Sequence, residues 1–337
     1  MNDDELQVKI EKAQSDVAEL IDALSVYIIG QEDFLKRLII ANICNGHILV
    51  EGLPGLAKTL TIKLFAEAIG LNFARIQFTP DLLPADILGT HIYNPNDQSF
   101  ELKKGPVFAN FVLADEINRA PAKVQSALLE AMEEGTVTLA GERFTLPVPF
   151  MVMATQNPID QEGTYQLPEA QMDRFIMKVI VEYPDRQSEE AIIEKMARPA
   201  LELKIGKIIK DNSLTDMQKL LDNIFVDQKV IQYILDIIQC SRNEYEQLSE
   251  IQDPQTVKDQ MSGLIDFGAS PRATIALILT SKAHALISGR KYVLPQDVRA
   301  MVHDVLRHRL IPSYEAEANN MSSLKIIDQL LDIIKLP

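Results

Sequence analysis

The chain has 337 residues, of which 47% are hydrophobic and 24% charged, and its formal net charge is −15. This composition is that of a globular protein with room for two cores, and the acidic balance disfavours nucleic acid as a partner, because phosphate contacts need clustered Lys and Arg. No stretch approaches the roughly 18 apolar residues of a membrane span, and the first twenty residues lack a secretory core, so we expect a cytoplasmic protein.

The N-terminal part predicts two helices, over residues 1–28 and 32–45, because apolar residues recur there at helical spacing. Short apolar runs then alternate with helical segments. These runs are continuously apolar and do not alternate strictly with polar residues, as a strand with one solvent-exposed face does. Continuous apolar runs are typical of a parallel sheet covered by helices on both faces. The expected strands cover residues 47–51, 73–78, 110–115, 150–155 and 175–181, and two intervening helices cover 59–69 and 122–134.

Strand signals stop after Tyr183-Pro184-Asp185, and the remaining sequence reads as almost wholly helical. We therefore expect an α/β domain over residues 1–184 and a smaller all-α domain over residues 185–337. No long low-complexity linker separates them.

A phosphate-binding loop follows the first expected strand. It comprises Gly52, Leu53, Pro54, Gly55, Leu56, Ala57, Lys58 and Thr59, with Leu60 next in the following helix. Backbone N–H groups and the dipole at a helix N-terminus suit a triphosphate, and in such a loop Lys58 reaches the outer phosphates while the Thr59 hydroxyl binds Mg²⁺. Ala57 replaces the usual glycine, but alanine is the smallest residue with a Cβ, so we expect the loop to survive. ATP and Mg²⁺ are the predicted cofactors.

Polar residues end the third and fourth expected strands, where ligands bind in open α/β sheets. Asp115 is expected to hold Mg²⁺, through water, and Glu116 to polarise the attacking water as general base. Asn157 can orient that water beside the γ-phosphate, although Asn157-Pro158 also reads as a simple turn.

Together these motifs resemble the MoxR group of AAA+ ATPases, over residues 30–310. The matching segments are G-L-P-G-L-A-K-T, L-A-D-E-I-N-R-A-P, A-T-Q-N-P, L-P-E-A-Q-M-D-R-F and G-A-S-P-R-A. The resemblance implies a P-loop NTPase fold with a parallel sheet, flanking helices and a helical lid. It also implies a homo-oligomeric ring, usually a hexamer, with ATP at the subunit interfaces.

The resemblance assigns further residues. Asn157 matches sensor 1, Arg174 the arginine finger that reaches a neighbour's γ-phosphate, Arg272 sensor 2, and Gly30 and Gln31 the linker near the adenine. Without the resemblance, Arg174 reads as a surface arginine.

Arg272 has independent local support. Ser270-Pro271 predicts a helix N-cap followed by proline in the first turn. A cation in that turn opposes the helix dipole, which favours an anionic partner such as phosphate.

Two inserts interrupt the sheet pattern. Residues 136–146 alternate like a β-hairpin, and residues 84–106 form a second insert. In the family such inserts face the pore or top of the ring; ordinary surface hairpins are the alternative.

The resemblance implies a chaperone-like ATPase that remodels or matures partner proteins, which often contain von Willebrand factor A domains. Two alternatives stay open. A motor or transcription regulator acting on nucleic acid is disfavoured by the acidic charge, and a non-hydrolysing ATP-binding scaffold is disfavoured by Glu116 and Asn157.

Overall fold

The computed structural model describes residues 3–53, 55–94, 96, 98–158, 165–198, 203–210, 212–249 and 251–337. Contacts divide the chain into one unit of Met1–Val17, Phe175–Lys178 and Thr215–Pro337 and another of Ala18–Arg174 and Val179–Leu214. The domain boundary near residue 184 stays a prediction. Among the helices of these described ranges, none is both long and apolar enough to cross a membrane.

The N-terminal half alternates helices with strands. Its elements are α1 (Asp3–Ser25), α2 (Glu32–Ile43), β1 (Ile48–Gly52), α3 (Lys58–Ile69), β2 (Phe73–Gln77), α4 (Pro84–Leu88), β3 (Gly89–Asn94), β4 (Ser99–Lys104), β5 (Phe111–Asp115), α5 (Ala122–Glu134), β6 (Thr136–Leu139), β7 (Glu142–Thr145), β8 (Met151–Gln156), α6 (Glu169–Met172) and β9 (Met177–Val181). Short 3-10 helices cover Pro106–Phe108 and Ile117–Arg119.

The C-terminal half is mainly helical. Its elements are α7 (Arg186–Met196), α8 (Ser213–Leu220), α9 (Gln228–Ser241), α10 (Pro254–Met261), β10 (Ile265–Phe267), α11 (Pro271–Ile287), α12 (Pro295–Leu306), β11 (Ile311–Pro312), α13 (Tyr314–Ala318) and α14 (Ser323–Ile333). Short 3-10 helices cover Leu221–Asn223 and Tyr245–Gln247. The sequence predicted no strands after residue 185, which is wrong for β10 and β11. These two strands pair antiparallel, and each is too short to show an apolar pattern.

A five-stranded sheet in the order β2-β5-β8-β1-β9 forms the core of the N-terminal half. The ladders β2–β5, β5–β8 and β1–β8 are parallel, and Phe111 to Ala114 of β5 are fully buried. Burial of consecutive side chains is the property that the unbroken apolar runs predicted. The carboxyl ends of β1, β5 and β8 therefore meet at one edge of the sheet.

Both inserts are hairpins. β6 pairs antiparallel with β7, as predicted for residues 136–146, and the first insert contains α4 followed by the antiparallel pair β3–β4. The Nζ of Lys104, at the end of β4, lies 4.9 Å from the ring centre of Phe108 and 5.6 Å from that of Phe144 in β7.

A buried carboxylate joins α11 to α12. Asp297 is 1% exposed and accepts hydrogen bonds from both terminal nitrogens of Arg290, at 2.7 and 2.5 Å, and from the Leu294 N–H at 2.7 Å. The His284 ring of α11 lies 2.6 Å from the same carboxylate. Burial raises the pKa of Asp297, but these hydrogen bonds outweigh it and lower the pKa to about 2.

We expect Asp297→Asn to lower the free energy of unfolding by about 3 kcal/mol, because it leaves Arg290 without its counter-charge. The wild-type pair stabilises the fold above the unfolded-state pKa of about 3.9 and loses this effect as pH falls through 2. Thermal unfolding followed by circular dichroism between pH 2 and 7 tests both points. Asp332→Asn is the control, because Asp332 is 82% exposed and 3.9 Å from Arg299; equal melting temperatures for the two variants would contradict the expectation.

Candidate active site at the carboxyl edge of the sheet

The phosphate-binding loop connects β1 to α3. A Cβ at Gly52 would lie 2.8 Å from the Val181 carbonyl oxygen, so glycine is required there by the close approach of β9. Ala57 immediately precedes α3 and has φ +55°, in the left-handed region. Glycine adopts that region without cost, so the alanine carries roughly 1 kcal/mol of backbone strain. Pro54 lies outside the described residues.

Lys58 begins α3 and folds back onto the loop. Its Nζ donates a hydrogen bond to the Gly52 carbonyl oxygen at 2.6 Å. Burial lowers the pKa of Lys58, and the charges of Asp115, Glu116 and Glu51 act in the opposite direction. Lys58 follows β1, whose carboxyl end lies at the same edge of the sheet as that of β5. Thr59 and Leu60 follow in the first turn of α3.

Asp115 is held on both carboxylate oxygens. The Thr155 hydroxyl of β8 donates to Oδ1 at 2.7 Å, and Arg75 of β2 donates to Oδ2 from Nε at 3.1 Å and from Nη2 at 2.6 Å. Only 14% of the Asp115 side chain is exposed. The carboxylate is thus fixed by the strands on both sides of β5.

Glu116 has a left-handed backbone, with φ +56° and ψ +51°. Its N–H donates to the Thr155 hydroxyl at 2.8 Å, which fixes this uncommon conformation. The Gln77 side-chain amide donates to Oε2 at 3.0 Å, and Arg119 pairs with the same oxygen at 3.1 Å. Both of these contacts engage Oε2, so Oε1 is the oxygen they leave for another partner.

Arg75 and Gln77 were not found from the sequence. They lie two residues apart on β2, and β2 pairs with β5 so that Gln77 is opposite Asp115. Two long polar side chains at the end of an otherwise apolar strand are a signal, but their partners depend on a strand order that the sequence does not contain. Thr155 lies in the A-T-Q-N-P segment but has no role predicted from the sequence, and the structure places its hydroxyl between the Glu116 N–H and the Asp115 carboxylate.

Gly30 and Gln31 lie beside the loop. The Gln31 side-chain amide donates to the Leu56 carbonyl oxygen at 3.3 Å. Gly30 has φ +73°, and a Cβ there would lie 2.6 Å from the Ser188 hydroxyl. The structure therefore brings the predicted linker to the phosphate-binding loop.

The remaining predicted residues lie at element ends. Asn157 is half-buried directly after β8, and Arg174 precedes β9 and pairs with Glu133 at 2.9 Å. Arg272 is exposed in the first turn of α11, in the C-terminal unit, and the Ser270 hydroxyl accepts its N–H at 3.2 Å. The predicted N-cap at Ser270 is confirmed.

Comparison with known proteins agrees with this architecture. Residues 47–177 match the ATPase family associated with various cellular activities (AAA), and residues 261–330 match the AAA lid domain. Over 310 residues the chain is 45% identical to Chaperone MoxR1 of Mycobacterium tuberculosis, covering 92% of this chain and 79% of that protein. The chain belongs to the MoxR family of AAA+ ATPases.

Two further similar proteins extend the comparison. The YeaC protein of Bacillus subtilis is 37% identical over 321 residues, which is 95% of each chain. The crystal structure of a candidate ATPase from Cytophaga hutchinsonii has a TM-score of 0.90 and 41% identity, covering 99% of this chain and 98% of that one. The predicted family and the predicted AAA+ fold, with a parallel sheet and a helical lid, are confirmed.

Proposed function

We propose that this MoxR-family protein binds ATP with Mg²⁺ and hydrolyses it to drive chaperone-like remodelling or maturation of a partner protein. The observation that carries the proposal is that the loop leading to Lys58 and the carboxylates Asp115 and Glu116 lie at the same edge of the sheet, at the ends of β1 and β5. A phosphate-binding cation and two carboxylates in one place are the parts that phosphoryl transfer needs.

The residues present fit the nucleotide. Ala57 gives α3 no side-chain cap, and a Cβ at Gly55 would meet no atom within 4 Å, so the start of α3 has donors and space for phosphate oxygens. In this proposal Gly30 and Gln31 lie near the adenine, the loop from Gly52 to Leu60 binds the phosphates, and Arg272 adds a cation from the lid.

Thr59 and Asp115 are the proposed ligands of Mg²⁺. They supply the hydroxyl and carboxylate oxygens that this hard cation prefers. In this proposal, oxygens of the phosphates and of water would complete the coordination. When bound, the cation neutralises charge on the phosphates.

Glu116 is the proposed general base. Gln77 and Arg119 hold Oε2, so we assign Oε1 to accept the proton of the attacking water. Asn157, at the end of the neighbouring strand, is the proposed residue that orients this water. Lys58 holds the outer phosphates so that their geometry is fixed before attack.

The site is completed, in this proposal, by a second copy of the chain in a ring, for which we propose six subunits. Arg174 then reaches the γ-phosphate bound by the neighbour and stabilises charge in the transition state. The name of the relative Chaperone MoxR1 supports a client-directed role, and a partner with a von Willebrand factor A domain is the client that we propose to test first.

We expect Lys58→Ala to weaken ATP binding about 100-fold, because it removes charge-assisted hydrogen bonds worth roughly 3 kcal/mol. Titration with a fluorescent ATP analogue measures the affinity. Lys63→Ala in the same helix is the control, since Lys63 is half-exposed and pairs with Glu67 at 3.8 Å. Unchanged affinity in Lys58→Ala would remove this residue from the site.

We expect Glu116→Gln to keep ATP affinity but to lower the hydrolysis rate about 100-fold or more, because the amide cannot accept the proton. Phosphate release measured at a protein concentration that permits assembly gives the rate. Near-normal turnover would rule out Glu116 as the general base. Wild-type protein that binds ATP but never releases phosphate would favour the scaffold alternative.

The Glu116→Gln variant, held in ATP, can also be tested for capture of a purified von Willebrand factor A domain, with ADP as the control.

We expect Arg174→Ala to lower hydrolysis about 1,000-fold, within the range found for arginine fingers, while sparing ATP binding. Mixing it with Lys58→Ala tests action between subunits, because a mixed interface combines an intact loop with an intact Arg174. The rate per Arg174→Ala subunit should rise as Lys58→Ala is added. A flat response in mixtures that co-assemble would contradict a finger acting on the neighbour.

A further inference from the structure

The Arg174 guanidinium is held by a residue outside every motif identified from the sequence. Its Nη2 lies 2.9 Å from Oε2 of Glu133, and the exposed fractions of the two side chains are 28% and 38%. The next residue, Glu134, pairs instead with Arg143 of the β6–β7 hairpin, at 3.3 Å. Two adjacent glutamates at the end of α5 thus pair with different arginines, and the arginine that pairs with Glu133 is the proposed arginine finger.

The resting contacts of Arg174 leave one donor unsatisfied. Its Nε is buried and has no hydrogen-bond partner among the described residues. Buried donors normally find partners, and exceptions often occur at functional groups. A guanidinium held by one carboxylate but not fully satisfied is suited to a second position against an anion, because it gains hydrogen bonds there.

Helix α5 joins Glu133 to the segment that carries Glu116. At its start the buried side-chain amide of Gln125 donates to the Ile117 and Ala120 carbonyl oxygens, at 3.2 and 3.1 Å. Glu133 lies in the last turn of the same 13-residue helix, about 20 Å long at 1.5 Å per residue. Helix α5 therefore connects the segment that follows Glu116 with Glu133.

We propose that Glu133 is a positioning residue that holds Arg174 ready for the ATP of the neighbouring subunit, and that α5 links this hold to the subunit's own Glu116. The inference rests on the proposed function and names a regulator of the same site. Removing the carboxylate frees a long side chain with several rotamers, so the finger is presented correctly only part of the time.

The experiment compares Glu133→Ala with Glu134→Ala, which removes a neighbouring glutamate that does not contact Arg174. We expect Glu133→Ala to lower kcat about tenfold, because misplacing a catalytic group costs up to about 100-fold, with the KM for ATP changed less than about twofold. Glu134→Ala should match wild type, and Glu133→Gln, which keeps an acceptor without the charge, should fall between. Melting temperatures identify any variant that is impaired by unfolding.

Mixing separates positioning from a general structural defect. Glu133→Ala has an intact ATP pocket, and Lys58→Ala has an intact Glu133–Arg174 pair, so added Lys58→Ala should restore the rate per Glu133→Ala subunit. The proposal is overturned if Glu133→Ala matches Glu134→Ala, or if its loss is not rescued in mixtures where Arg174→Ala is rescued. If Arg174→Ala itself is not rescued, the finger of the proposed function fails, and the role of Glu133 fails with it.

Discussion

The candidate site depends on one hydroxyl group. Thr155 Oγ1 accepts the Glu116 N–H and donates to the Asp115 carboxylate, so the ends of β5 and β8 are joined by side-chain contacts as well as by the ladder between them. A left-handed glutamate costs roughly 1–2 kcal/mol, and the hydrogen bond to Thr155 offsets part of that cost. The two adjacent carboxylates have separate partners: Asp115 contacts Arg75 and Thr155, and Glu116 contacts Gln77 and Arg119.

This arrangement gives each neighbour of β5 a defined part. β8 supplies Thr155 and then Asn157, and β2 supplies Arg75 and Gln77. Strand order therefore decides which side chains surround Asp115 and Glu116. The phosphate-binding loop and its lysine follow β1, which lies beyond β8 in the strand order. The site is thus a property of four adjacent strand ends rather than of any one motif.

The sequence predicted the elements that contain a motif or an unbroken apolar run. The strand expected over residues 110–115 spans Phe111–Asp115, and the helix expected over residues 122–134 spans Ala122–Glu134. Both follow from local pattern. Predictions failed or were missing where the cause is not local. Gln77 meets Glu116 across 39 residues, Glu133 meets Arg174 of a different segment, and β10 and β11 are stabilised by each other.

Ala57 shows a different limit. The sequence predicted that the phosphate-binding loop tolerates alanine at this position, but not the left-handed backbone that the alanine adopts there.

The contacts of Lys104 with Phe108 and Phe144 have a consequence for experiments on the two inserts. The Lys104 ammonium belongs to the first hairpin, and the Phe144 ring that it contacts belongs to the second. The two hairpins are therefore in contact through this pair. A truncation of one hairpin that removes Lys104 or Phe144 also removes a contact of the other hairpin. The effect of a deletion can therefore be assigned to a single insert only if both residues are retained.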